Sequence, residues 1–167
     1  FHPQDVYFIW GEINRDWKLN SNYKPKYLIT SGMIWDMKEE NINTGLSLRK
    51  KFNGQIKYIM TLIDITFKDY TANAFKLFYT TFLSYAINHP EWGVLIKPKL
   101  YRIWEDIDDN IKILVDELYS QGRLVITEVR ESPMVAAYAS DICIGLLISS
   151  AATIAASRGA LSVCWDK

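Results

Sequence analysis

Apolar and polar positions fall into two kinds of block from Lys57 onward. Lys57–Ile63 (KYIMTLI), Val94–Ile96, Leu124–Thr127, Ile142–Leu147 and Leu161–Trp165 are short apolar runs, the pattern of strands buried on both faces. The segments between them are longer and periodic. Thr71–Asn88 carries Phe75, Phe78, Phe82, Tyr85 and Ala86, and the next carries Ile103, Ile107, Ile111, Leu114, Val115 and Leu118. Those spacings predict amphipathic helices. Asn88-His89-Pro90 stops the first and Gly122 breaks the second. Pro133–Ala139 reads as a short helix, and Ala151–Ser157 is rich in small helix formers. The resulting order, β-α-β-α-β-α-β-α-β, predicts an α/β fold: one parallel sheet of five strands with helices on both faces.

The chain before Lys57 has another character. Val6–Trp10 and Tyr27–Thr30 read as short strands, with polar, Asn- and Lys-rich loops between and after them, punctuated by Gly32 and Gly45. We expect residues 1–56 to be the end of a preceding unit and a linker, and residues 57–167 to be the domain proper. The first residue is Phe1 and no signal peptide is visible, as in a fragment of a longer cytoplasmic protein.

The run from Asp141 to Asp166 is the most apolar part of the chain and invites a membrane reading. A span needs about 20 mainly apolar residues, and Arg158 and Gly159 interrupt this one. Strand, helix and strand fit it better. Composition agrees: 49% hydrophobic and 23% charged residues in a chain of 167 suffice for one globular core. A formal net charge of zero argues against a nucleic-acid partner. Two histidines and two cysteines, none close together, offer no metal-ligand spacing. Cys143 and Cys164 both lie on strand-like runs, so both are expected inside the sheet as reduced thiols.

Parallel sheets bind ligands beyond the carboxyl ends of their strands. Those ends carry Asp64 and Thr66, Lys97 and Lys99, Glu128, then Ile148, Ser149 and Ser150, and finally Asp166. His89 and Glu91 precede a strand and belong to the opposite edge. Ser149 and Ser150 follow a buried strand and open a helix, where unpaired backbone N–H groups and the helix dipole favour an anion. Small Ala151 and Ala152 let a phosphate approach. A serine there is also an ordinary N-cap. With Lys97 expected at the end of an adjacent strand, the set points to a diphosphate site. Trp35, Trp92, Trp104 and Trp165 could stack on sugar rings, but core packing accounts for such residues more simply. The acidic run Glu105–Asp109 reads as the solvated first turn of a helix.

"YASDICIGLLISSAATIAASRGALSVCWD", "VLIKPK" and "YLITSGMIWD" together resemble the carboxyl-terminal domain of GT-B type glycosyltransferases of surface and capsular polysaccharide synthesis. The resemblance covers roughly Tyr27 to Asp166 and is strongest from Ala139. Sugar-nucleotide epimerases and glycerophosphate transferases share its outline. It implies a Rossmann-like domain that binds a nucleotide-sugar donor without metal or cofactor. It implies that Ser149, Ser150 and Ala151 hold the donor phosphates with Lys97, and that the loop carrying Glu128, Glu131 and Ser132 borders the nucleotide. The acceptor, a glycan or lipid-linked glycan, would be bound by an amino-terminal domain of which this sequence holds at most the last strand (VYFIWGE, with Glu12 at its end). Any peripheral membrane association would come through that domain. One departure stands out: the ribose-gripping glutamate of the family's last helix falls on Ile154 here. A non-catalytic sugar-nucleotide-binding domain is the remaining alternative.

Overall fold

The computed structural model describes residues 5–9, 11–22, 25–31, 39–65, 71–99, 108–147, 149–157 and 159–166. Trp35, Thr66, Ile103, Trp104, Glu105, Asp106, Ile107 and Ile148 lie outside them. The chain divides into two compact units, residues 1–37 and 38–167. In the first, β1 (Val6–Ile9) and β2 (Tyr27–Thr30) pair in parallel around α1 (Glu12–Leu19). Glu12 has a structural task there. Its carboxylate accepts a 2.9 Å hydrogen bond from Thr30 and pairs with Arg15 at 3.0 Å.

The second unit holds α2 (Glu39–Arg49), β3 (Tyr58–Ile63), α3 (Ala72–Asn88), β4 (Trp92–Lys97), α4 (Asp109–Ser120), β5 (Leu124–Ile126), α5 (Pro133–Ala139), β6 (Ile142–Leu146), α6 (Ser150–Ser157) and β7 (Leu161–Trp165). Its five strands form one wholly parallel sheet in the order β5-β4-β3-β6-β7. This is the predicted α/β, Rossmann-like architecture. The pleat sorts the core into two layers. Met60, Leu62, Val94, Ile96, Ile144 and Leu146 pack against α3 and α4. Ile59 and Leu95 pack against α2 and α5, and Ile63 and Cys143 against α5 and α6.

Two helices, α1 and α2, stand where the sequence pattern predicts polar loops. α2 belongs with the sheet: residues 38–56, expected to be linker, lie in the second unit. Arg49 at its end fastens it, donating to both Asp141 carboxylate oxygens (3.1 and 2.9 Å) and to the Ala139 carbonyl. Asp141 also accepts from the Ile59 amide at 2.7 Å. Asp141 is therefore a brace at the amino edge of the sheet.

Cys143 is buried as expected, but Cys164 is exposed, which corrects the expectation that both lie inside. The cause is strand order: among the described residues β7 is an edge strand, paired with β6 alone. Trp165 and Trp92 serve packing. Trp165 lies against Phe78 and Phe82, and Trp92 against Tyr58 and Tyr85. Of the acidic run, Asp108 caps α4 through the Asn110 amide and pairs with Lys76 at 2.6 Å. Asp109 sits in the first turn, paired with Lys112.

Candidate functional site

The strand order reverses direction between β3 and β6. From β3 the chain winds outward through β4 and β5, then returns to the other side of β3 for β6 and β7. The two crossovers flanking such a point leave a crevice at the strands' carboxyl ends, the usual ligand position in open α/β sheets. A cavity of about 380 Å³ lies there, lined by Asp64 of the β3 end, Lys97 and Lys99 of the β4 end, Pro133, and Ser149 to Ala151 at the start of α6. Thus Lys97, Ser149, Ser150 and Ala151, singled out from sequence, converge on one cavity. They do not come from adjacent strands as expected: β3 runs between β4 and β6, and it places Asp64 between the lysine and the serines.

Gly145 governs how α6 meets the sheet. A Cβ on it would lie 2.8 Å from Cβ of Ala152 and 3.4 Å from Oγ of Ser149. Without one, the first turn of α6 settles directly on β6. The turn between them passes through Leu147 at φ 56°, a left-handed conformation uncommon for a leucine. Ser149 then caps the helix: its Oγ accepts from the Ala152 amide at 3.1 Å. The amides of Ser150 and Ala151 donate to no group among the described residues, so they form the open positive end of the helix.

Lys97 is only 7% exposed. Its ammonium donates to the carbonyls of Pro98 (3.1 Å) and Val129 (2.9 Å), and the third of its donors is left over. Burial lowers its pKa, opposed by the charges of Asp64 and Glu131. Asp64 is more enclosed still, at 3%. Oδ1 accepts from the Lys99 amide at 2.7 Å and Oδ2 from the Tyr79 hydroxyl at 3.0 Å. Burial nevertheless pushes its carboxyl up to about 7, against the pull of those hydrogen bonds and of Lys97 and Lys99. Burial, with the neighbouring Asp64, holds the Tyr79 hydroxyl well above the ordinary phenol range. The sequence marks Asp64 as a strand-end residue and assigns it no role. The only sequence signal was its position, one residue past the apolar run that becomes the central strand.

The loop between β5 and α5 contributes to two clefts. Val129 and Pro133 face the 380 Å³ cavity. Glu128 and Glu131 line a second, more open cleft of about 910 Å³, walled by α2 (Glu39, Glu40, Asn43) and the β5 end. Ser132 is committed to capping α5, accepting from the Met134 amide at 3.2 Å, while its own amide donates to the Glu131 carboxylate. The residues expected to border a nucleotide therefore divide between a neighbouring cleft and a helix cap. Ile154 is 1% exposed and packed away from both clefts. His89 lies at the opposite edge of the sheet, 3.6 Å from Glu91.

Among the described residues no helix is long and apolar enough to cross a membrane. No protein-family model, curated protein or solved structure matches the chain.

Proposed function

We propose that residues 38–167 are the donor-binding half of a glycosyltransferase, with the diphosphate of a nucleotide-sugar held in the cavity at the β3–β6 crevice. One observation carries this reading: the open amides of Ser150 and Ala151 and the buried ammonium of Lys97 face the same 380 Å³ cavity from opposite sides of β3. Donors fixed in this way stabilise the charge that develops on a departing nucleoside diphosphate. The motif resemblance from Ala139 onward points the same way. With Ile154 in place of a glutamate, the ribose is held otherwise, and the open cleft bearing Glu128 and Glu131 is the neighbouring space for the nucleoside.

Calorimetric titration with UDP-, GDP-, CDP- and dTDP-sugars tests the proposal. One class is expected to bind. Lys97→Met should weaken it by roughly one to two orders of magnitude, since a charge-assisted hydrogen bond contributes about 1.5–3 kcal/mol. That variant also loses the tie to Val129, so Ser150→Glu, at an exposed position of the same helix start, is the sharper probe. Its carboxylate suits the helix dipole and spares the fold, yet it puts negative charge where the phosphate belongs. Binding should fall roughly tenfold or more. Undiminished binding by both variants would place the donor elsewhere.

A further inference from the structure

Asp64 is the feature that a plain phosphate site leaves unexplained. A carboxylate buried in the wall of a cavity whose other donors suit an anion sets like charge against like. Among the described residues, the groups facing it are few. Tyr79 approaches from α3, Lys97 and Lys99 from the end of β4, and Glu131 from the β5–α5 loop acts on Lys97. Of the described residues, the α6 side brings Ser149, Ser150 and Ala151 to the cavity, none titratable. Lys97 is already tied to two carbonyls and cannot neutralise both Asp64 and a dianion.

We infer that Asp64 serves this cavity as its neutral acid: an anion enters only as Asp64 takes a proton from solvent, and the resulting carboxyl presents an O–H donor to the bound group. This deepens the donor-site reading and rests on the cavity being its anion site. Bringing an anion into contact with a desolvated carboxylate disfavours ionisation further, so the bound state keeps the proton across the neutral range. The free carboxyl, titrating at about 7, does not. Binding above that pH is therefore coupled to proton uptake, and affinity declines as pH rises. Asp64 then acts as a selectivity element, favouring ligands whose oxygens accept a hydrogen bond.

Sulfate is the cleanest probe, because its charge is constant from pH 6 to 8.5. Calorimetry in buffers of different ionisation enthalpy counts the protons taken up. With a free carboxyl near 7, the expected uptake is about 0.9 per sulfate at pH 8 and about 0.1 at pH 6, with affinity falling about fivefold between pH 7 and 8. Asp64→Asn keeps an acceptor for the Lys99 amide and cannot ionise. It should lose the uptake and bind sulfate about tenfold more tightly than wild type at pH 8. Uptake that persists in Asp64→Asn assigns the proton to Lys97 and overturns the inference. So does a wild-type affinity that is flat with pH, or an absence of sulfate binding. Should the variant fail to fold, the carbon-13 carboxyl resonance of Asp64 in wild type decides: its titration midpoint must rise when sulfate is added. The nucleotide-sugar panel separates the two readings. Proton-coupled sulfate binding without any nucleotide-sugar binding removes the glycosyltransferase proposal and leaves this one standing.

Discussion

A methyl group at position 145 would press on Ala152 at 2.8 Å, so a single missing side chain lets the start of α6 reach the crevice. Ser149 holds the helix in that position through its cap, and Leu147 absorbs the sharp turn. That Lys97, Ser149, Ser150 and Ala151 share one edge of the sheet is legible in the sequence, because strand ends and helix starts leave local signatures. The weight of Asp64 was not legible, because it comes from enclosure by Tyr79 and the β4 end, which no local pattern encodes. Cysteine reactivity shows the same division. Cys143 is buried and its thiol is pushed up to about 12, whereas Cys164 is exposed. Alkylation of the native protein near pH 8 should label one thiol, Cys164, and denaturation should release the second. Mass spectrometry of the labelled peptides checks this. Equal native labelling of both would contradict the burial of β6.

α2 shows why element boundaries in the first third of the chain escaped the pattern. EENINTGLSLR has only a weak apolar stripe, and Gly45 in its middle reads as a loop signal. The helix is fixed by tertiary contact. At Gly45 a Cβ would meet Cβ of Tyr138 at 2.6 Å and the carbonyl oxygen of Val135 at 2.7 Å, so α2 crosses α5 too closely for any side chain. Gly45→Ala is accordingly expected to destabilise the protein, by up to about 2 kcal/mol. The gain in helix propensity is about 1 kcal/mol, while overpacking against backbone costs about 1–3 kcal/mol. Urea unfolding followed by circular dichroism measures it, and a stabilised variant would refute the close crossing. α3 illustrates a milder shift. Periodicity chose Phe75, Phe78, Phe82, Tyr85 and Ala86, yet the buried face is Phe75, Phe78, Tyr79, Leu83 and Ala86. Phe82 instead supports Trp165, and Tyr85 is exposed and stacks on His89. Aromatic residues at a flank occupy helical spacing as well as those at the centre, so the pattern alone could not orient the stripe.

At the scale of the molecule, the alternation of strand and helix was enough to read a parallel sheet, since connections of that length cross over. Strand order was not readable, because nothing in β6 states which edge of the sheet it joins. That choice creates the crevice and puts Asp64 at its centre. The sheet and all of its flanking helices lie within residues 38–167. A chain starting at Lys38 should therefore unfold in a single cooperative transition and keep the ligand affinity of the longer chain. Loss of cooperativity on truncation would show that residues 1–37 complete the fold. The same strand order has a consequence for biosynthesis. β3 is the central strand, flanked by β4 and β6, yet its contacts across the β6 side pair Met60 with Ile142, 82 residues later. At a translation rate of about 5–20 residues per second, one edge of the most central strand waits about 4–16 s for its partner. Throughout that interval Ile59, Leu62 and Ile63, all buried in the finished protein, sit on a strand with one edge open, and a nascent chain stalled before β6 would present that unpaired edge to the cell.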